Sequence, residues 1–182
     1  MNSEDLEKLK YPIGKFQFPI ELTVEQRENW MNYILEFPNI LEEIVNPLTT
    51  EQLNWHYRPE GWKIKQVIHH LADSHMNAYI RFKLTVTENN PVIRPYEEAL
   101  WANLHDAQDD VISNSLQILK PLHNRWFIFM KSLNENDWNK SYFHPQHQKL
   151  FSLNEALGIY YWHSQHHLEH IKNGLLFQNA FK

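Results

Sequence analysis

The chain has 182 residues, 12 of them His and 4 Gly, with no Cys and a formal net charge of −5. The length suits one domain with its own core. Absent cysteine excludes disulfides, thiolate metal sites, iron–sulfur clusters and a cysteine nucleophile, and the negative charge argues against nucleic-acid binding. Few glycines disfavour a turn-rich all-β fold. No stretch approaches the ~18 apolar residues of a membrane span, and the acidic start through Glu4 and Asp5 lacks the apolar region of a secretory signal. A cytoplasmic protein is therefore expected. The 7 Trp, 8 Tyr and 10 Phe predict a well-filled core or an interface.

Residues 1–22 read as an extended arm, because Tyr11-Pro12-Ile13-Gly14 and Phe18-Pro19 resist helix. Thr23-x-x-Gln26 fits a capping box and opens a first long helix to about Val45, kinked or broken at Pro38. A short helical turn is expected near Thr50–Trp55. After Pro59-Glu60-Gly61, a second long helix spans about Lys63–Glu88 in a stretch free of Pro and Gly. Residues 89–110 then form a long crossover, with a short helix near Glu97–His105. A third helix covers about Ile112–Leu133, bent near Pro121, and 134–151 read as a loop. Ser152-x-x-Glu155 is a second capping box, opening a fourth helix to about Phe177. No period-2 alternation marks a strand. Four long amphipathic helices with one long crossover predict an all-α four-helix bundle forming a single domain over 1–182, the kind of fold that builds metal sites from facing helices.

The last helix carries Trp162-His163-Ser164-Gln165-His166-His167-Leu168-Glu169-His170. Imidazoles at i and i+4 share a face and can reach one ion. The pairs 163/167 and 166/170 both qualify. At about 100° per residue, His167 lies nearest the apolar centre, then His163, then His170, with His166 furthest out. A metal inside the bundle thus favours 163/167. Ser164 follows His163, so the zincin H-E-x-x-H pattern and its base are absent. On the second helix, the same wheel places His75 near the apolar centre, His70 on a flank and His69 facing away. His70 also belongs to a polar stripe with Ser74, Asn77 and Arg81. Periodicity leaves the choice between His70 and His75 open.

Several stretches resemble the YfiT branch of the DinB/YfiT superfamily. They are Gly61 through Asn77 (GWKIKQVIHHLADSHMN), Tyr79 through Leu84, Ile93-Arg94-Pro95-Tyr96, His123-x-Arg125-Trp126, Tyr142-x-His144-Pro145, Tyr161-Trp162-His163-Ser164-x-His166-His167, and the arm Tyr11 through Gly14. They cover nearly the whole chain in order. The resemblance implies a four-helix bundle holding one divalent ion through three His. The family's helix-2 ligand is the His directly before Leu-Ala, here His70, and the helix-4 ligands fall on His163 and His167. His75 then becomes a buried residue that supports the site. Gln165 stands where a close relative has another His, outside the ligand set.

The resemblance further implies a metal-dependent hydrolase and a homodimer. Three imidazoles and an open position make a catalytic rather than a structural site. Zinc is the default ion, and nickel or iron also suits imidazole. The partner is a small-molecule substrate. One alternative is a transferase of a low-molecular-weight thiol such as bacillithiol, with the metal deprotonating a thiol that the chain itself lacks. Another is a non-enzymatic, metal-stabilised binding module. No general acid or base stands out: Asp73, Glu169 and Arg81 read as exposed or salt-bridging, and Arg81 and Arg94 offer charge for an anionic substrate group.

Overall fold

The structure, a computed structural model, describes residues 3–181. Four long helices form the body: α2 (Val24–Val45), α4 (Ile64–Thr87), α6 (Ser113–Lys131) and α8 (Leu153–Phe177). Helices α2 and α4 each pack against both α6 and α8, so they sit on opposite corners of a four-helix bundle. Shorter pieces decorate it: α1 (Ser3–Lys10), α3 (Thr50–Leu53), α5 (Glu98–Trp101), a 3₁₀ turn at Asp106–Gln108, and α7 (Glu135–Trp138).

Both expected capping boxes are made. Thr23 Oγ1 accepts from the Gln26 amide while Gln26 Oε1 accepts from the Thr23 amide, each at 3.1 Å. Ser152 and Glu155 reciprocate at 3.1 and 2.9 Å. Each satisfies donors that a helix start leaves orphaned.

Three expectations are corrected. The arm is not extended throughout, because Ser3–Lys10 is helical, with Glu4 and Asp5 in its first turn and Lys8 and Lys10 in its last. The chain runs without regular helix or strand from there to Thr23. Helix α2 passes through Pro38 unbroken. Pro38 is buried in the core, and that packing outweighs one missing amide bond. Residues 134–151 hold α7 and an antiparallel hairpin, β1 (Ser141–His144) with β2 (Lys149–Ser152), paired Ser141↔Ser152 through His144↔Lys149. Four-residue strands are too short to show a periodicity. The hairpin is anchored from outside: the Phe143 amide donates to Pro91 O at 2.9 Å, and the Ile93 amide to Phe143 O at 3.1 Å.

The apolar interior forms two clusters. One gathers Trp126, Phe82, Met130, Leu153 and Leu157; the other gathers Phe37, Leu41, Ile64, Ile68, Leu71 and Leu119. Full burial of each such side chain stabilises by roughly 1.5–3 kcal/mol. The crossover is tied down on α4, where Gln66 Nε2 donates to Ala102 O at 2.7 Å and Lys65 pairs with Asp110 at 2.7 Å. Gly174 lets α8 close on α4, since a Cβ there would stand 2.9 Å from Ile64 Cγ1. Among the described residues, no helix is long and apolar enough to cross a membrane.

Candidate metal centre

Histidines from α4 and α8 meet between the two helices. His70, His163 and His167 each present a ring nitrogen within 4.8 Å of the others, with His70 and His167 buried and His163 half-buried. His70 Nε2 lies 3.2 Å from His163 Nε2. The i, i+4 spacing on α8 brings the rings of His163 and His167 to 4.4 Å between centroids, and His70 enters from the facing helix, 4.8 Å from His167.

The electrostatics favour neutral rings. Burial, then the neighbouring His166, holds His70 down at about 4. Burial and the surrounding imidazoles hold His163 and His167 well below the usual histidine value. A low-dielectric site disfavours the imidazolium, so each ring keeps a lone pair at neutral pH. Three neutral imidazoles with converging nitrogens fit a divalent ion, which binds only unprotonated His.

His75 is not in the cluster. It is fully buried, its Nδ1 lying 2.7 Å from His123 Nε2 and its Nε2 3.4 Å from His163 Nδ1. His69, expected to face away, is buried against the end of the crossover and the start of α6, with Nδ1 2.8 Å from Ser115 Oγ and Nε2 3.0 Å from Asp109 O. His166, expected outermost, is buried too, because Trp162 stacks on it at 4.4 Å and Tyr11 of the N-terminal segment lies 6.0 Å away. A helical wheel cannot see cover that arrives from a loop or a terminus. His166, His167 and His170 form a second group with mutually close ring nitrogens, all three buried.

A cleft of about 540 Å³ opens beside the cluster, lined by His163, His166, His167 and His170 together with Tyr57, Arg58, Trp62, Glu98 and Trp162. Composition gave no signal for Arg58 or Glu98. Burial raises the Glu98 carboxyl above its ordinary value, opposed by Arg81. The charged residues singled out earlier lie elsewhere. Arg81 donates to Tyr160 Oη at 3.2 Å and to Arg94 O at 3.4 Å. Arg94 borders a separate cleft of about 690 Å³ with Asn77, Tyr96 and Trp101. Glu169 pairs with Lys172 at 2.6 Å on the surface. Burial, then Asp106, lifts the Asp73 carboxyl to about 6.

Comparison with known proteins agrees with this fold. Residues 34–171 match the model of the DinB superfamily. YfiT of Bacillus subtilis, provisionally named as a metal-dependent hydrolase, is 43% identical over 163 residues, covering 90% of this chain and 92% of the relative. A relative from Oceanobacillus iheyensis with the same provisional name is 48% identical over 162 residues, covering 89% and 93%. The solved structure of B. subtilis YfiT, described as having an unusual four-helix bundle topology, superposes with a TM-score of 0.91 over 94% of this chain and 98% of that one. The mycothiol-dependent maleylpyruvate isomerase shares the fold at 14% identity and a TM-score of 0.61, over 84% of this chain and 60% of that one. The chain belongs to the DinB superfamily, in its YfiT branch.

Proposed function

We propose that the protein is a divalent-metal-dependent hydrolase whose ion is held by His70, His163 and His167. The observation that carries the reading is the convergence of three neutral, ring-presenting histidines from two facing helices beside an open cleft. The provisional name of its relatives supports the reaction class. Zinc is the ion that best suits three imidazoles with a free position. Such an ion supplies a hydrolytic nucleophile from water at neutral pH and polarises the bond under attack. The chain's own residues do the rest. The two α8 ligands and His70 fix the ion's position. Trp62 and Trp162 line the cleft with apolar surface, and Arg58 and Glu98 add polar, ionisable groups to the same lining. This suits a small-molecule substrate with polar groups.

The reading includes a single domain, a cytoplasmic location and a homodimer. The exposed side chains of Leu100, Trp101 and Leu104 on the crossover offer apolar surface for a second copy, and sedimentation of the purified protein tests it.

Metal content after dialysis is the direct test. We expect about one ion per chain, lost in a His163→Ala/His167→Ala double variant; unchanged metal in that variant would sink the ligand assignment. Ester and amide hydrolysis should depend on the metal and vanish in His70→Ala. Turnover seen only with bacillithiol or glutathione would move the reading to a thiol transferase. No metal-dependent turnover of any kind would leave a metal-stabilised binding module.

A further inference from the structure

Each of the two α8 histidines in the cluster touches another imidazole with its Nδ1, and each contact leads to a backbone carbonyl. His163 Nδ1 faces His75 Nε2 at 3.4 Å, and His75 Nδ1 faces His123 Nε2 at 2.7 Å. His123 Nδ1 ends on the carbonyl of Ile34. His167 Nδ1 faces His170 Nδ1 at 3.3 Å, and His170 Nε2 ends on the carbonyl of Lys10 at 3.2 Å.

A neutral imidazole carries one N–H and one lone pair, and a carbonyl only accepts. The carbonyl therefore decides every proton behind it. Ile34 O takes the His123 Nδ1–H, so His123 Nε2 must accept. His75 then donates from Nδ1 and accepts at Nε2, so His163 donates from Nδ1. On the other branch, Lys10 O takes the His170 Nε2–H, His170 Nδ1 accepts, and His167 donates from Nδ1. Both α8 rings are left with their lone pair on Nε2, and His163 Nε2 is the atom that meets His70.

We propose that these two relays are positioning devices that set the tautomer of the metal-binding histidines, with His75, His123 and His170 acting through the ligands rather than on the ion. The fold provides both end points. Pro38 has no amide hydrogen, so within α2 the carbonyl four residues back, Ile34, has no helical partner and is free for His123. Lys10 is the last residue of α1, where helix carbonyls are orphaned.

This assignment rests on the three-histidine ligand set, and it excludes a second ion at His166, His167 and His170. His170 Nδ1 and His167 Nδ1 would have to face that ion instead of each other.

The test is imidazole nitrogen NMR of ¹⁵N-labelled protein with zinc titration. In wild-type protein, His163 and His167 should both show protonated Nδ1, with zinc perturbing Nε2, and one zinc should bind per chain. Removing an acceptor, by His123→Leu or His170→Leu, should weaken zinc binding about 10- to 100-fold. Replacements that keep an acceptor in place, His123→Gln and His170→Asn, should recover most of it. If the leucine variants do not fold, the wild-type tautomers decide. Protonated Nε2 on either ring, ligation through Nδ1, two zinc ions per chain, or folded leucine variants with undiminished affinity would each overturn the relays while leaving the ligand set intact. Failure of the wild-type protein to bind zinc would overturn the ligand set and the relays together.

Discussion

The two flanks of the histidine cluster are held in different ways. Behind His163 stand His75 and His123, both with no exposed surface. His123 stacks on Phe37 of α2 at 5.9 Å and meets Trp126 at 6.0 Å. Behind His167 stands His170, stacked on Tyr57 at 3.9 Å and covered from outside by α1, a helix that buries none of its own residues. One flank is core, and the other is a tether laid over the surface. The same imidazole chemistry can be fixed by close packing or by a strap, and the two should fail under different stresses.

The largest effect is expected where packing is broken. His75→Ala removes a buried ring and leaves His123 Nε2 and His163 Nδ1 without partners. That combination of cavity and unsatisfied groups should cost about 3 kcal/mol, read from urea unfolding of the metal-free protein. A cost below about 1 kcal/mol would show that the inner flank is not the tighter one.

Acid should act next, and also through the core. Burial holds His123 at about 4, partly offset by its bond to Ile34, and holds His75 well below the usual value. Their folded values lie beneath the unfolded value near 6.5, so the unfolded chain binds more protons in that interval. The stability they support is complete above pH ~6.5 and is lost as pH falls toward the folded value of about 4. The slope is about 1.4 kcal/mol per pH unit for each proton taken up. Metal-free stability that stays flat from pH 7 to 4 would contradict burial of neutral rings.

A smaller change is expected from removing residues 1–14. The deletion takes away α1, Tyr11 and the Gly14 carbonyl that accepts from Trp162 Nε1 at 3.1 Å. Global stability should fall by less than about 1 kcal/mol, because no buried apolar side chain is lost. The His166 and His170 titrations, held by burial at about 4 and about 3, should move up toward the ordinary histidine value once uncovered. NMR titration of the truncated protein reads the comparison directly: His123, held in the core, should not move.

Much of this was legible in the sequence because it depends on local patterns. The four helices follow from breaker-free amphipathic stretches, and their starts at Thr23 and Ser152 follow from capping boxes that the structure makes. The approach of His163 to His167 follows from one turn of helix. What was not legible depends on chain segments far apart. Choosing His70 over His75 needed the family resemblance, because the wheel puts His75 near the apolar centre and His70 only on a flank, and the packing of α6 alone decides that His75 meets His123. Part of the cover over His166 and His69 comes from Tyr11 of the N-terminal segment, from Asp109 of the crossover and from Ser115 of α6, which no single wheel contains. The hairpin at 141–152 is held by Pro91 and Ile93, some fifty residues earlier. Pro38 read as a kink because its ring removes a hydrogen bond; its use appears only once His123 is seen beside Ile34.

The close seat of Gly174 on Ile64 fixes how near α8 can come to α4. Ile64 lies six residues before His70 on one helix, and Gly174 seven residues after His167 on the other. That contact stands about 10 Å along the helices from the clustered imidazoles. A methyl group added at Gly174 would stand 2.9 Å from Ile64 Cγ1 and 3.0 Å from its Cδ1, so the buried Ile64 side chain or the helix spacing would have to give. The spacing of the two histidine-bearing helices is thus set at a glycine remote from the ring nitrogens themselves.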